Sequence, residues 1–133
     1  MLSQTVDYAL RISVCLAVKA PTPQTADNLA QLTNVPRAYQ AKVIQAMVRG
    51  GTARSKRGVG GGVSLAKPPE EITLLEIINS VDPIKRLGTT ATEPEERIDS
   101  LLMGLQQRYE RALHAAEQVF REATLADVIA EQA

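Results

Sequence analysis

TADNLAQLTNVPRAYQAKVIQAMVRGG, running from Thr25 to Gly51, reads as two short helices joined by a tight turn. Thr25 can cap a helix that lasts to about Leu32 with Ala26, Leu29 and Ala30 inward, and Thr33-Asn34 then ends it. Pro36 suits the first turn of a second helix, where its missing N–H is not needed, and Gly50-Gly51 closes that helix after Arg49. The connection is only about four residues, the length of a helix-turn-helix. A helix entering the DNA major groove needs one face fixed to its domain and polar or basic side chains on the other. Val43, Ala46 and Met47 supply the first face, and Arg37, Gln40 and Lys42, near the N-terminal end, supply the second. Arginine suits guanine and glutamine suits adenine, each through two hydrogen bonds carrying about 1–3 kcal/mol of discrimination. Tyr39 fits either core packing or a phosphate contact, and an ordinary solvated helix face is the plainer reading of the whole stretch.

Downstream, Thr52 to Arg57 and Val63 to Ala66 bracket Gly58-Val59-Gly60-Gly61-Gly62, which predicts a β-hairpin with a permissive tip. Arg54, Lys56 and Arg57 precede a tip whose glycines, Gly58, Gly60 and Gly61 among them, let backbone approach phosphate or the minor groove. A nucleotide-binding loop is the competing reading, but neither the Gly-Lys-Ser/Thr ending nor the Gly-x-Gly-x-x-Gly spacing is present. Upstream, Val6, Ala9, Leu10, Val14, Ala17 and Val18 recur on one helical face between Ser3 and Lys19, and Pro21 and Pro23 stop the pattern. Beyond the hairpin, Thr73 can cap a helix through Leu74, Ile77, Ile78 and Val81. The segment from Ile84 to Pro94 reads as a loop.

Ile98, Leu102, Leu105, Tyr109, Ala112, Ala116, Val119 and Ala123 follow in alternating steps of four and three, a seven-residue repeat. A helix from Glu95 to Ala123 would be about 43 Å long, more than so small a domain covers, so a partner helix in a dimer that also uses helix 1 is expected. The alternative is a seam packed on the chain's own helix 1; alanine and Tyr109 at seam positions and Gly104 argue against a freestanding zipper. Thr124 to Ile129 reads as a short capped helix folding back. The expected architecture is therefore mainly α with a small β-hairpin wing: a winged helix-turn-helix over residues 1–83, a loop over 84–94, and a long dimerisation helix with a short terminal helix over 95–133.

The zero net charge of the 133 residues hides an asymmetry. Residues 1–67 carry nine Lys and Arg against two Asp and Glu, and residues 68–133 carry six against thirteen. Between Asp27 and Glu70 no acidic side chain interrupts Arg37, Lys42, Arg49, Arg54, Lys56, Arg57 and Lys67, an electrostatic footprint suited to a polyanion. The low aromatic content, 3% with no Trp, favours helices over a β-sandwich. One cysteine, Cys15, excludes an internal disulfide and any Cys-pair metal site and suits a reducing compartment, so a cytoplasmic protein without a membrane segment is expected. Cys15 reads as a buried small hydrophobe, with Arg11 as its expected basic neighbour on the helix, and His114 as a solvated side chain off the seam.

Several stretches together resemble the Rrf-two family of bacterial winged-helix regulators. They are Asp7-Tyr8-Ala9-Leu10-Arg11, Val35-Pro36 with Tyr39 and Lys42, Ser55 to Ala66, Pro68 to Leu74, and Thr124 to Val128. The resemblance covers nearly the whole chain. It implies a homodimer that binds an imperfect palindrome in double-stranded DNA, with Arg57 reaching into the minor groove. Many relatives are cluster sensors with three cysteines between helix 4 and the long helix; counted back from Thr124-Leu125, the corresponding positions here fall near Ala91, Arg97 and Met103, none of which supplies a thiolate. Asp7 matches an aspartate that the nitric-oxide-sensing branch uses as a ligand. No iron-sulfur cluster and no other cofactor is expected, and the nearer analogy is the cluster-free cysteine-metabolism branch, which responds to a small molecule or a partner enzyme. Thr52-Ala53 and Val63 depart from the family's wing pattern, so a less firmly anchored first wing strand is expected.

The leading expectation is thus a transcriptional repressor responding to a non-cluster effector. A winged-helix module that binds protein instead of DNA is the alternative, favoured if helix 3 and the wing carried acid, which they do not. An enzyme is not expected, since no paired base and nucleophile, metal-ligand cluster or cofactor loop is present.

Overall fold

Ser3 accepts a hydrogen bond from the Val6 amide at 3.3 Å and so opens the first helix in a computed structural model that describes residues 3–83 and 96–131. The chain runs α1 (Gln4–Lys19), α2 (Ala26–Thr33), α3 (Arg37–Arg49), β1 (Ala53–Lys56), β2 (Gly62–Leu65), a 3-10 turn (Pro69–Glu71), α4 (Leu74–Val81), α5 (Glu96–Glu122) and α6 (Leu125–Glu131). This is a mainly helical winged helix-turn-helix, as the sequence predicts; the loop expected over 84–94 lies outside the described residues.

α1 is the central strut, packed by α2, α3, α4 and α6. Its core face is rotated from the one its apolar spacing predicts. Val6, Ala9, Ile12 and Leu16 are buried, whereas Leu10 and Val14 are half-buried and Val18 is 61% exposed. The helix carries two apolar stripes, and spacing alone cannot say which one the domain itself covers. Leu10, Val14, Cys15 and Val18 line an open groove of about 650 Å³, closed on its other side by Leu32 and Thr33 of α2.

Thr25 caps α2, accepting from the Asn28 amide at 3.2 Å, and Asn34 ends the helix in the left-handed conformation that asparagine tolerates (φ 60°). Leu29 is buried as expected; Ala26 is exposed. Pro36 stands at the cap position of α3, one residue before the first turn. Val43, Ile44 and Met47 then anchor α3 to the core.

Gly50 is required where α3 meets α4: a Cβ there would lie 2.3 Å from the Ser80 Cβ. Gly50→Ala is expected to force the two helices apart at a cost of about 1–3 kcal/mol, read as a lower denaturation midpoint with an unchanged slope. An unchanged midpoint would show that α3 and α4 adjust freely.

The wing is a two-stranded antiparallel hairpin pairing Ala53 with Leu65 and Lys56 with Gly62. Its base is anchored despite the small Thr52 and Ala53. Thr52 is buried and its hydroxyl donates to the Met47 carbonyl at 3.2 Å; the Ala66 amide donates back to the Thr52 carbonyl at 3.0 Å. Gln24 and Val63 exchange two backbone hydrogen bonds of 2.8 Å, so the α1–α2 connection acts as a short third strand. Backbone pairing supplies here what a large side chain would supply elsewhere.

α4 begins with a reciprocal capping box between Thr73 and Glu76, and Lys67 pairs with Glu76 at 3.2 Å. The joint between α5 and α6 is pinned to the same place. The Leu74 amide donates to the Ala123 carbonyl (2.9 Å), and the Leu125 amide donates to the Ile72 carbonyl (3.0 Å). Thr124 caps α6 with Asp127, and fully buried Leu125 seats α6 against α1, the fold-back read from the sequence.

α5 lies along α4 and is about 40 Å long. Among the described residues the α5 side chain that is buried is Leu113 (2% exposed), which is not part of the seven-residue seam. Half-buried Gln106, Glu110, Glu117 and Phe120 flank Leu113 at steps of three and four, so the domain covers the face beside the seam. Of the seam itself, Ile98, Leu102, Leu105 (57%), Tyr109, Ala112 and Val119 are exposed, and Ala116 and Ala123 are half-buried. α5 thus presents its seam away from its own domain, against the alternative of a seam packed on helix 1.

Candidate nucleic-acid interface

The last turn of α3 is held by Met47 and by the Gly50 approach to α4, which leaves its first turn at the surface. Arg37, Tyr39 and Lys42 are exposed there. Gln40 is not, which corrects the sequence reading: it is 2% exposed, and its amide nitrogen donates to the Ala26 carbonyl of α2 at 2.9 Å. It sits one turn before Val43 and Ile44, on the inner side of α3, so its amide ties two helices together and is not offered to a base edge. Its Oε1 has no hydrogen-bond partner among the described residues. Periodicity with Val43 and Met47 was the available signal, and the polar character of glutamine masked it.

Arg37 is exposed but engaged, its Nη1 bonded to the Asp27 carboxylate of α2. Tyr39 packs on the core, the first of its two sequence readings, and keeps an exposed edge. Half of it is solvent-exposed, and its ring packs at 6.0 Å, tilted by 49°, against the buried Tyr8 of α1. Its hydroxyl end is thereby carried on a ring fixed to the domain.

In the wing, Arg54, Lys56 and Arg57 are all exposed, as are Gly58, Val59 and Gly60 at the tip. The Gly61 amide closes the tip turn on the Gly58 carbonyl at 3.0 Å, and a Cβ at Gly61 would lie 2.3 Å from the Lys56 carbonyl oxygen. Only glycine lets the chain double back so tightly after the three cations. The arrangement offers guanidinium and ammonium groups beside backbone of minimal bulk, which is what close contact with a phosphate backbone or a minor groove requires. α3 leads into β1 through Gly50-Gly51-Thr52, and the Thr52–Met47 bonds tie the end of α3 to the base of the wing.

Residues 2–131 match a family described as an iron-dependent transcriptional regulator, Rrf2. The chain belongs to the Rrf2 family. As an Rrf2 protein it is a DNA-binding transcriptional regulator with a winged-helix fold, and its relatives are regulators, not enzymes. The regulator NsrR of Bacillus licheniformis is 29% identical over 133 residues, covering 98% of this chain and 93% of that protein. Among solved structures, T. potens IscR superposes with a TM-score of 0.76 at 22% identity, covering 100% of this chain and 88% of that one. CymR, the global cysteine regulator of B. subtilis, superposes at 0.73 and 23%, covering 98% and 97%. These two likenesses bear on the fold.

Iron enters with the family's description, and the donors of this Rrf2 chain do not fit a thiolate-held cluster. Its one cysteine, Cys15, lies on α1 in the apolar groove, where burial pushes the thiol up while Lys19, one turn on, pulls it partly back. Lys19 is a basic neighbour that the sequence reading passed over in favour of Arg11. Arg11 instead pairs with Asp7 at 3.0 Å. Among the described residues no three His, Cys, Asp or Glu side chains converge. No described helix is long and apolar enough to cross a membrane, and His114 is exposed on α5.

Proposed function

We propose that this Rrf2 regulator is a repressor that binds an imperfect palindrome as a homodimer and responds to an effector other than an iron-sulfur cluster. The observation that carries the reading is the pairing of two surfaces in one small chain. One is a basic unit, α3 with its wing, bearing Arg37, Lys42, Arg54, Lys56 and Arg57. The other is an apolar seam on α5 that the domain leaves exposed.

Exposed apolar area costs about 25 cal/mol per Å², so a 40 Å helix with Ile98, Leu102 and Leu105 turned outward is stabilised by a second copy. α1 carries a second uncovered apolar stripe, half-buried Leu10 and Val14 with exposed Val18, which suits a dimer that also uses helix 1. Two copies related by a two-fold axis place two recognition helices on one face of the duplex, with half-sites about 10–10.5 bp apart or a multiple of that. The single cysteine supports a cluster-free protein, and a small molecule or a partner enzyme is the effector class proposed.

Fluorescence anisotropy of the purified protein with DNA from upstream of its own gene, against a scrambled duplex, tests the reading. Specific binding with log affinity falling by roughly 0.9 per neutralised phosphate against log salt is expected, with a two-fold symmetric footprint. Stoichiometric iron and sulfide in an anaerobic preparation would overturn the cluster-free assignment. Equal, salt-insensitive binding to both duplexes would overturn the DNA assignment and favour a protein-binding module.

A further inference from the structure

The first turns of α2 and α3 are hitched at two points. Arg37 Nη1 binds the Asp27 carboxylate, and Gln40 reaches the Ala26 carbonyl at 2.9 Å. Asp27 is the last acidic side chain before the acid-free basic stretch, and it stands in the first turn of α2, where a carboxylate also sits favourably against the helix dipole. Both members of the ion pair are exposed, with side-chain accessibilities of 63% for Arg37 and 81% for Asp27. As a contribution to stability such a pair is worth little. Its effect on geometry is larger: it uses one nitrogen of the guanidinium and leaves the Nε and Nη2 edge without a protein partner among the described residues.

A guanidinium edge with two parallel N–H donors is the group that reads guanine through O6 and N7. An unrestrained arginine loses rotamer freedom when it docks on a base; one already held at its far nitrogen loses less. We propose that Arg37 is a guanine-reading residue and that Asp27 is its positioning residue, a two-helix pair that sets one base of each half-site. Gln40 holds the turn of α3 from which Arg37 projects, so the hitch has a buried hinge and an exposed arm. The inference rests on the DNA-binding reading and adds to it a named base contact and a residue on α2 that selects it.

The test uses the full-length chain and a 30-bp duplex selected by the unaltered protein from random-sequence DNA. Dissociation constants are measured for that duplex, for a scrambled one, and for versions carrying 7-deazaguanine at one guanine position at a time, which removes N7 alone. The unaltered protein is expected to lose about five- to hundredfold at one guanine per half-site. Arg37→Ala is expected to lose that sensitivity at that guanine and nowhere else. Asp27→Asn, of nearly the same shape, is expected to lower discrimination at the same guanine at least threefold while binding scrambled DNA no more weakly. The double variant should lose no more than Arg37→Ala alone, because the two residues act as one unit.

Both side chains are exposed, so near-native melting temperatures are expected throughout. If Arg37→Ala weakens all duplexes alike and lowers the salt slope by about one per half-site, Arg37 is a phosphate contact and the proposal falls. If Asp27→Asn tightens every duplex equally, Asp27 only cancels charge and the proposal falls. Failure of the unaltered protein to select any sequence would instead remove the DNA reading on which the proposal stands.

Discussion

Leu105→Asp is expected to convert the proposed homodimer into monomers and to abolish operator binding in the same step. Leu105 stands midway along the exposed seam of α5, 57% accessible in the single chain, with Leu102 one step before it. Covering a leucine contributes about 1.5–3 kcal/mol, and a carboxylate in its place adds the cost of desolvating a charge. In a two-fold dimer each loss counts twice, roughly 5 kcal/mol or more, which is on the order of a thousandfold or greater change in the dimer constant. Sedimentation equilibrium reads the mass, and anisotropy on the same sample reads the operator.

The altered monomer should keep its helical circular dichroism, because Leu105 lies off the face of α5 that carries buried Leu113. Leu113→Asp should behave in the opposite way and lower the melting temperature at once. A Leu105→Asp dimer binding with native affinity would place the interface on another surface.

Arg57→Ala is expected to give the largest loss of DNA affinity among single changes that leave the dimer intact. Arg57 follows β1 directly, it is exposed, and the next four residues turn with almost no side-chain bulk, so its guanidinium can follow the tip into the groove. A good side-chain contact to a base or groove edge is worth about 1–3 kcal/mol. A dimer carries two wings, so a loss of about a hundredfold is expected, with a shallower salt dependence. Arg57→Lys should recover only part of it, since a narrow minor groove favours the less hydrated guanidinium. Ala126→Ser, on α6, should leave affinity unchanged; equal affinities for it and Arg57→Ala would remove the wing from the interface.

Much of this protein is decided by local chemistry that a sequence displays. Thr25, Thr73 and Thr124 cap helices because a β-hydroxyl can reach an amide three residues on, and that signal needs no tertiary context. The glycines from Gly58 to Gly62 mark the wing tip because few other residues turn so tightly, and the cations before them are exposed as their solvation demands. The seven-residue repeat of α5 marks an apolar seam because helical periodicity brings its members onto one side.

Tertiary structure decided which side of each helix faced what. α1 has two apolar stripes of similar strength, and only the positions of α3, α4 and α6 select Ile12 and Leu16 over Val14 and Val18. α5 buries Leu113 beside its seam through the way it packs on the rest of the domain, α4 included, which no spacing within α5 encodes. Gln40 was legible as a polar residue on a recognition helix, but the carbonyl of Ala26, fourteen positions earlier, supplies the partner that makes its burial tolerable. The link between Arg37 and Asp27 was likewise out of reach, for the same physical reason. A sequence fixes the periodicity and hydrogen-bonding capacity of each segment, whereas the partner that satisfies a side chain comes from a distant segment and depends on how the helices pack.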